Sequence, residues 1–367
     1  MSAVRRPSGD PAVSAPPTPR ALGYRWPAEW EPHASTWLVW PQARSDWPGR
    51  FPAIPWVYAE IVRHLVRGEA VDLVVNDGRT ERSAREVLHA AGVRLDRVRF
   101  HRFSTDRGWV RDSGPIFVVR RHGPERLAAV RFVFNAWARY DDWHRDARLA
   151  ERIARARGVP SFRATIRGRP MVLEGGSIDP NGAGALLTTE ECLLSRRQAR
   201  NPGARRDEVE AALSDYLGVD QVIWLGRGLV GDDTHGHVDD IARFVGPTTV
   251  VAARAPEESD PNFAPLEENL ARLRATRLSD GRRLTVVPLP LPAPRRYAGR
   301  PVPASPLNFY FANGRLLVPT FNDPSDRTVL ATLASLCPDR EVVGIYSGDL
   351  IWGLGAIHCA TQPEPKA

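Results

Sequence analysis

The sequence predicts an α/β protein assembled from about five units of mixed strand and helix arranged around one centre. Three observations lead there. Amphipathic helices alternate with short apolar strands. Polar or Gly-rich turns follow those strands near Asp112, Glu174, His237, Asn308 and Cys359, separated by 62, 63, 71 and 51 residues (174−112, 237−174, 308−237, 359−308). No long linker divides the 367 residues. If the turns share one end of the units, their polar side chains converge, and function lies where the units meet.

Residues 1–20 are rich in Pro, Ser, Ala and Arg without apolar periodicity and read as a disordered tail, leaving 21–367 as one domain. The helix–strand rhythm begins at Trp56, and a helix is expected over 147–157. In 206–217, Val209, Leu213 and Tyr216 fall at helical spacing, Asp207 and Glu208 lie near the start, and Gly218 closes the end. A buried strand follows over 221–225, a polar turn over 231–237, and a strand from Ile241 to Val245. Helix 263–274 comes next, then a Pro- and Arg-rich stretch, 291–305, short enough to be a loop. Helix 326–336 leads into strand 341–346.

Composition bounds the function. Hydrophobic content of 43% with 25% charged residues is that of a globular protein, and no apolar run is long enough to cross a membrane. Arg5 and Arg6 lack the apolar stretch of an export signal. Three cysteines, odd in number and widely spaced, argue against a disulfide framework and for a reducing, cytoplasmic location. The formal charge of +7 is carried almost wholly by arginines spread along the chain, with Lys366 the single lysine. That reads as solvated surface, so no specific nucleic-acid partner and no membrane is expected. A homo-oligomer is compatible with the sequence.

Four constellations could carry chemistry. Cys359 ends Gly353-Leu354-Gly355-Ala356-Ile357-His358-Cys359, where glycines let backbone approach a ligand. Cys192 and Cys337 lie in apolar patterns and read as packing. In Asp232-Asp233-Thr234-His235-Gly236-His237-Val238-Asp239-Asp240, two readings stand open. His-x-His on a strand could bind a metal, with His358 and Cys359 completing the site, or one His could serve a Cys nucleophile as general acid and base. Trp109-Val110-Arg111-Asp112-Ser113-Gly114-Pro115 and Leu173-Glu174-Gly175-Gly176 add carboxylates. Taken together, a cysteine, a histidine and three carboxylates suit a planar cationic substrate, since carboxylates grip guanidinium nitrogens through paired, charge-assisted hydrogen bonds. The same cation favours the thiolate of a neighbouring cysteine.

These segments resemble the agmatine deiminases and the related bacterial (Porphyromonas-type) peptidyl-arginine deiminases. The likeness runs from Trp26-Pro27-Ala28-Glu29-Trp30-Glu31-Pro32-His33 and Trp40-Pro41 through Asn135-Ala136-Trp137, Leu-Glu-Gly-Gly-Ser-Ile-Asp and Thr189-Glu190-Glu191-Cys192-Leu193-Leu194. It continues through Gly236-His237-Val238-Asp239-Asp240 and Asn308-Phe309-Tyr310 to Ile357-His358-Cys359-Ala360-Thr361-Gln362. It implies a five-bladed α/β propeller of the guanidine-modifying (pentein) superfamily and a single deiminase catalytic domain. The implied reaction is hydrolysis of agmatine to N-carbamoylputrescine and ammonia, in putrescine biosynthesis. Cys359 attacks the guanidinium carbon, Asp112 and Asp239 hold the nitrogens, and Glu174 bridges substrate and His237. His237 protonates the departing ammonia and then activates water, and Trp109 flanks the substrate; no metal or cofactor is required. His235 and His358 are left supporting duty. Leu354 and Ala356 interrupt a glycine run usual in the family, Pro363 replaces a glutamine, and Ser305-Pro306-Leu307 stands where a tyrosine is expected. Free arginine and peptidyl-arginine therefore remain the rival substrates.

Overall fold

The structure, a computed structural model, describes residues 17–367. It is a mixed α/β protein built on five separate sheets that share one strand order. In each, a central strand pairs antiparallel with one neighbour and parallel with another, and a helix crosses over between the two parallel strands. The pattern reads Ile116–Val119, Leu127–Arg131, helix Leu149–Arg157, Ser161–Arg163 in one sheet and Asp179–Pro180, Ala185–Thr189, helix Arg206–Leu217, Gln221–Leu225 in the next. Ala242–Phe244, Thr249–Arg254, helix Phe263–Ala275 and Thr285–Pro290 repeat it, as do Tyr310–Ala312, Arg315–Thr320, helix Pro324–Leu336 and Glu341–Tyr346. The fifth sheet closes the chain on itself, because Thr361–Pro365 lies antiparallel to His33–Val39, which pairs parallel with Ala70–Val75 across helix Ile54–Leu65; Val98–Arg102 adds a fourth strand.

Local chemistry explains the helices. Asp323 caps Pro324–Leu336 by accepting from Ser325 N at 3.0 Å, and Pro324 at the first turn forfeits no hydrogen bond. Arg206–Leu217 ends at Gly218, whose φ of 67° is the left-handed value that favours glycine. Its Val209, Leu213 and Leu217 are buried against Ile116, Val130 and Leu186.

Two expectations need correcting. The stretch 291–305 is not a plain loop: Arg295–Tyr297 and Arg300–Val302 form a hairpin, which lets its prolines sit where ladder donors are not needed. The tail assigned to 1–20 falls outside the described residues only for 1–16. Arg20 is pinned to Ser214 Oγ at 2.6 Å, Val219 O at 2.7 Å and Asp220 at 2.6 Å, so order begins before residue 21.

One regularity positions function. In every unit the segment just before the first antiparallel strand carries a singled-out polar residue: Asp112 before Ile116, Glu174 before Asp179, His237 before Ala242, Asn308 before Tyr310 and Cys359 before Thr361. The five equivalent turns deliver their side chains to one place.

Candidate active site

Asp112 sits in the single helical turn Val110–Ser113. Its Oδ2 accepts from Trp137 Nε1 at 2.9 Å and its Oδ1 from Gly176 N at 3.1 Å. The next side chain back, Arg111, points the other way, to Glu29 at 2.7 Å. Glycines at 175 and 176 are obligatory here. A Cβ on Gly175 would lie 2.3 Å from Arg111 O, and one on Gly176 would lie 2.6 Å from His237 Nδ1 and 3.0 Å from carboxylate oxygens of Asp112 and Asp239. The turn bearing Glu174 can close on the site only without those side chains.

His237 closes the polar turn expected over 231–237, and the strand on which the His-x-His metal reading depended does not form there. Asp232 gathers the backbone N–H groups of Thr234, Gly236 and His237, and His235 takes φ 68°, so the chain doubles back. His235 consequently points to Ser195 Oγ at 3.0 Å while His237 points inward, and the two rings do not share a face for a metal. His237 Nε2 lies 3.5 Å from Glu174; its Nδ1 faces Asp112 at 3.9 Å and Asp239 at 4.0 Å and has no hydrogen-bond partner among the described residues. Asp239, in the 3-10 turn Val238–Asp240, binds His358 Nδ1 through Oδ2 at 2.6 Å, and its Oδ1 is also unpartnered. Cys359 Sγ stands 3.6 Å from Asp239 Oδ2. Trp109 packs on Trp47 and lies so close to the loop before Cys359 that a Cβ on Gly353 or Gly355 would come within 2.9 Å of its ring.

The five predicted residues therefore form one buried cup, with two orphaned polar atoms aimed into it. Unpartnered buried polar groups cost free energy unless a ligand satisfies them. An N–H-rich planar cation supplies donors for Asp239 Oδ1 and charge for the whole cup.

The sequence matches the Porphyromonas-type peptidyl-arginine deiminase family over residues 25–365. The chain belongs to that family. Similar relatives include the agmatine deiminase of Pseudomonas putida, 37% identical over 95% of this chain and 97% of its own. That of Ectopseudomonas mendocina is 35% identical over 95% and 97%. Among solved structures, the agmatine deiminase of Enterococcus faecalis superposes with a TM-score of 0.87 at 31% identity, covering 96% of this chain and 99% of that one.

In this member of the peptidyl-arginine deiminase family, burial and charge drive the groups of the cup apart. Burial pushes the Cys359 thiol well above its usual range, and Asp239, Asp240 and Asp112 push it further. Burial likewise lifts Asp112 to about 6, with Asp239 and Glu174 adding and His237 opposing. Asp239 is equally buried, yet the His358 hydrogen bond and charge bring it below the usual carboxylate value. For His237, burial disfavours the cation, but Asp112, Cys192 and Glu174 outweigh it and raise the ring well above 6.5. The surroundings thus favour the cationic form of His237, the ionised form of Asp239 and the neutral form of the Cys359 thiol, with Asp239 3.6 Å from the sulfur and 4.0 Å from the ring.

Several family-site residues escaped the sequence reading. Cys192, read as packing, has its thiol near Glu174 and His237, with one atom of each within 4.8 Å of the others. These three could share an ion, but both Glu174 oxygens are already held by Arg200 Nε at 3.1 Å. Arg200 stands outside every motif, so nothing in the sequence pointed to it. Glu29 lies beneath the cup, bound by Arg111, Arg243 and His358. Glu29 and Trp137 lay inside the motifs quoted above, which was the available signal, whereas Asn308, one of the five turn residues, and His358, given supporting duty, were singled out from the sequence.

Proposed function

We propose that the protein is an agmatine deiminase, hydrolysing agmatine to N-carbamoylputrescine and ammonia through a covalent intermediate on Cys359. The observation that carries this reading is the convergence of the Cys359 thiol, His237 and the carboxylates of Asp112, Asp239 and Glu174 in one enclosed cup. Agmatine is the guanidine that the named relatives at 35–37% identity act on. The five sheets of common strand order support a five-bladed α/β propeller with the site at the centre, and one catalytic domain that takes in Arg20 as well as 21–367.

In this mechanism the guanidinium enters between Asp112 and Asp239, and Trp109 flanks its plane. Its positive charge relieves the repulsion among the acids and favours the Cys359 thiolate, whose proton passes to solvent. Sulfur bonds to the guanidinium carbon. The C–N bond to one terminal nitrogen then breaks as His237 gives that nitrogen a proton, and ammonia departs. His237, now neutral and oriented by Glu174, takes a proton from water as its oxygen bonds to the carbon. The C–S bond breaks with its electron pair returning to sulfur, the second water proton leaves the new hydroxyl for solvent as the urea C=O forms, and the product departs.

The cleft outside the cup, about 610 Å³, is lined by Asp46, Asp232 and Asp233 but also by Arg107, Arg139 and Arg300. A carboxylate at the substrate's far end would meet those arginines, so the discriminating experiment supplies agmatine, free arginine and an arginine-containing peptide separately and follows ammonia. Release from agmatine alone is the expected result. Turnover confined to arginine or peptide would keep the chemistry and replace the substrate.

A further inference from the structure

Asn308 begins the motif Asn308-Phe309-Tyr310, is fully buried, and has no part in the chemistry described so far. Its side chain meets Cys359 from both ends. Oδ1 accepts the backbone N–H groups of Ala356 and Cys359, each at 3.2 Å. Nδ2 lies 3.1 Å from Cys359 Sγ, 2.9 Å from Asp240 Oδ1 and 3.4 Å from Asp239 Oδ2. The orientation of the amide is decided by these partners: two donors face one end and only acceptors face the other, so a flipped amide would oppose donor to donor. Asp240 takes one N–H, which leaves the second directed at sulfur. The backbone is held as well, since Asn308 O accepts from His358 N at 2.9 Å and Ser305 Oγ donates to Asp240 O at 2.7 Å.

The surroundings make that donor consequential. Burial and the charges of Asp239, Asp240 and Asp112 disfavour a charged sulfur, whereas the hydrogen bond from Asn308, 3.1 Å from Sγ, works the other way. A hydrogen bond from an uncharged donor to a thiolate stabilises the ion without binding the carboxylates away from the substrate, as an arginine or lysine in its place would.

We propose that Asn308 is a further catalytic residue, donating its Nδ2–H to the Cys359 sulfur to stabilise the thiolate that attacks and, later, the thiolate that leaves. At attack the sulfur lone pair becomes the C–S bond and the hydrogen bond weakens. At breakdown the C–S electron pair returns to sulfur and the bond is restored, with no proton lost from the amide. The inference rests on Cys359 being the nucleophile but not on which guanidine is the substrate.

The test reads the thiol directly, in substrate-free full-length protein. The rate of Cys359 alkylation by iodoacetamide is measured against pH in the wild type, in Asn308→Ala and in Asn308→Ser, with Cys359→Ser as the blank for Cys192 and Cys337. The thiol titration is expected to move up by about one pH unit in the folded variants, with kcat lowered about 100-fold and KM changed less than about threefold. An unmoved titration overturns the proposal even if activity falls, because a residue that only anchors the loop would not shift the thiol. Should neither variant fold, wild-type protein labelled with 15N-asparagine supplies the readout. The Asn308 side-chain amide resonance must titrate together with the alkylation rate and lose that response in Cys359→Ser; an amide indifferent to the thiol overturns the proposal. Failure of agmatine turnover in the wild type would instead count against the substrate assignment, since the alkylation profile requires none.

Discussion

Beneath the cup, Glu29 receives Arg243 at 2.9 Å, Arg111 at 2.7 Å and His358 at 2.9 Å, and Arg243 also binds Asp179 at 2.6 Å. At its mouth, Tyr140 donates to Asp233 at 2.5 Å, and Arg107 spans Asp46 and Asp142, each at 2.9 Å. The two regions use similar residue types. The floor lies out of water, where charges that lose a partner are left uncompensated. The mouth is partly open, so solvent screens its pairs and a lost contact is replaced by water. The floor therefore fixes where His358, and through it Asp239, sits, while the mouth holds charged side chains that water can re-partner.

The cup between them shows the same lesson in two carboxylates. Asp239 rests on the floor through His358 and is held below its usual value, whereas Asp112 has only the Trp137 and Gly176 N–H groups and is lifted to about 6.

The sharpest way to break this comparison is at the cup itself. Cys359→Ala should remove turnover, by at least about four orders of magnitude, while leaving thermal unfolding close to wild type, since a small buried side chain is exchanged for a smaller one. Asp239→Asn should lower kcat/KM by about three orders of magnitude, because it loses the charge facing the substrate and the pairing with His358 together. Asp112→Asn should cost less, about two orders. Equal losses in the two variants would argue that the floor does not matter to Asp239.

Glu29→Gln, below the cup and out of contact with substrate, should destabilise the protein by about 3–5 kcal/mol, as expected for breaking a buried charge network. A fall of about 10-fold in kcat should follow from a loosened Asp239. Denaturant unfolding with kinetics at a temperature where the variant is folded checks both.

The pH dependence sharpens the Asp112 side. Its folded value, about 6, lies above its ordinary 3.8, so the stability contributed by the protonated group is fully present below 3.8 and is lost as pH rises through 6. Gripping a guanidinium needs the ionised form. kcat/KM should therefore gain an acid limb near pH 6 from Asp112, in addition to the rise set at higher pH by the Cys359 thiol, and Asp112→Asn should lose that limb. The smallest effect belongs to the mouth. Tyr140→Phe should raise KM a few-fold and leave kcat and stability nearly unchanged, because Asp233 can turn to water. A large fall in kcat would show that the mouth positions the reacting atoms after all.

Much of this was legible before any coordinates. The helix read over 206–217 is Arg206–Leu217, and the strands over 221–225 and 341–346 lie at those bounds, because apolar spacing and a closing glycine act locally. The same locality misled the reading at 291–305, where proline and arginine concealed a hairpin. The polar turn over 231–237 was legible, but not the hook inside it, where a left-handed His235 and the Asp232 cap send His235 and His237 to different sides.

By itself, the sequence determined the residue types of the cup and the rhythm that spaces them, since motif chemistry and periodicity reside in neighbouring positions. Only the tertiary structure decided that Cys192 abuts His237, that Arg200 neutralises Glu174, and that Glu29 supports His358 from 329 residues away. Those pairings depend on how five sheets pack, and a group's charge state inside a protein is set by which partners packing brings within a few ångströms and by how much water it excludes.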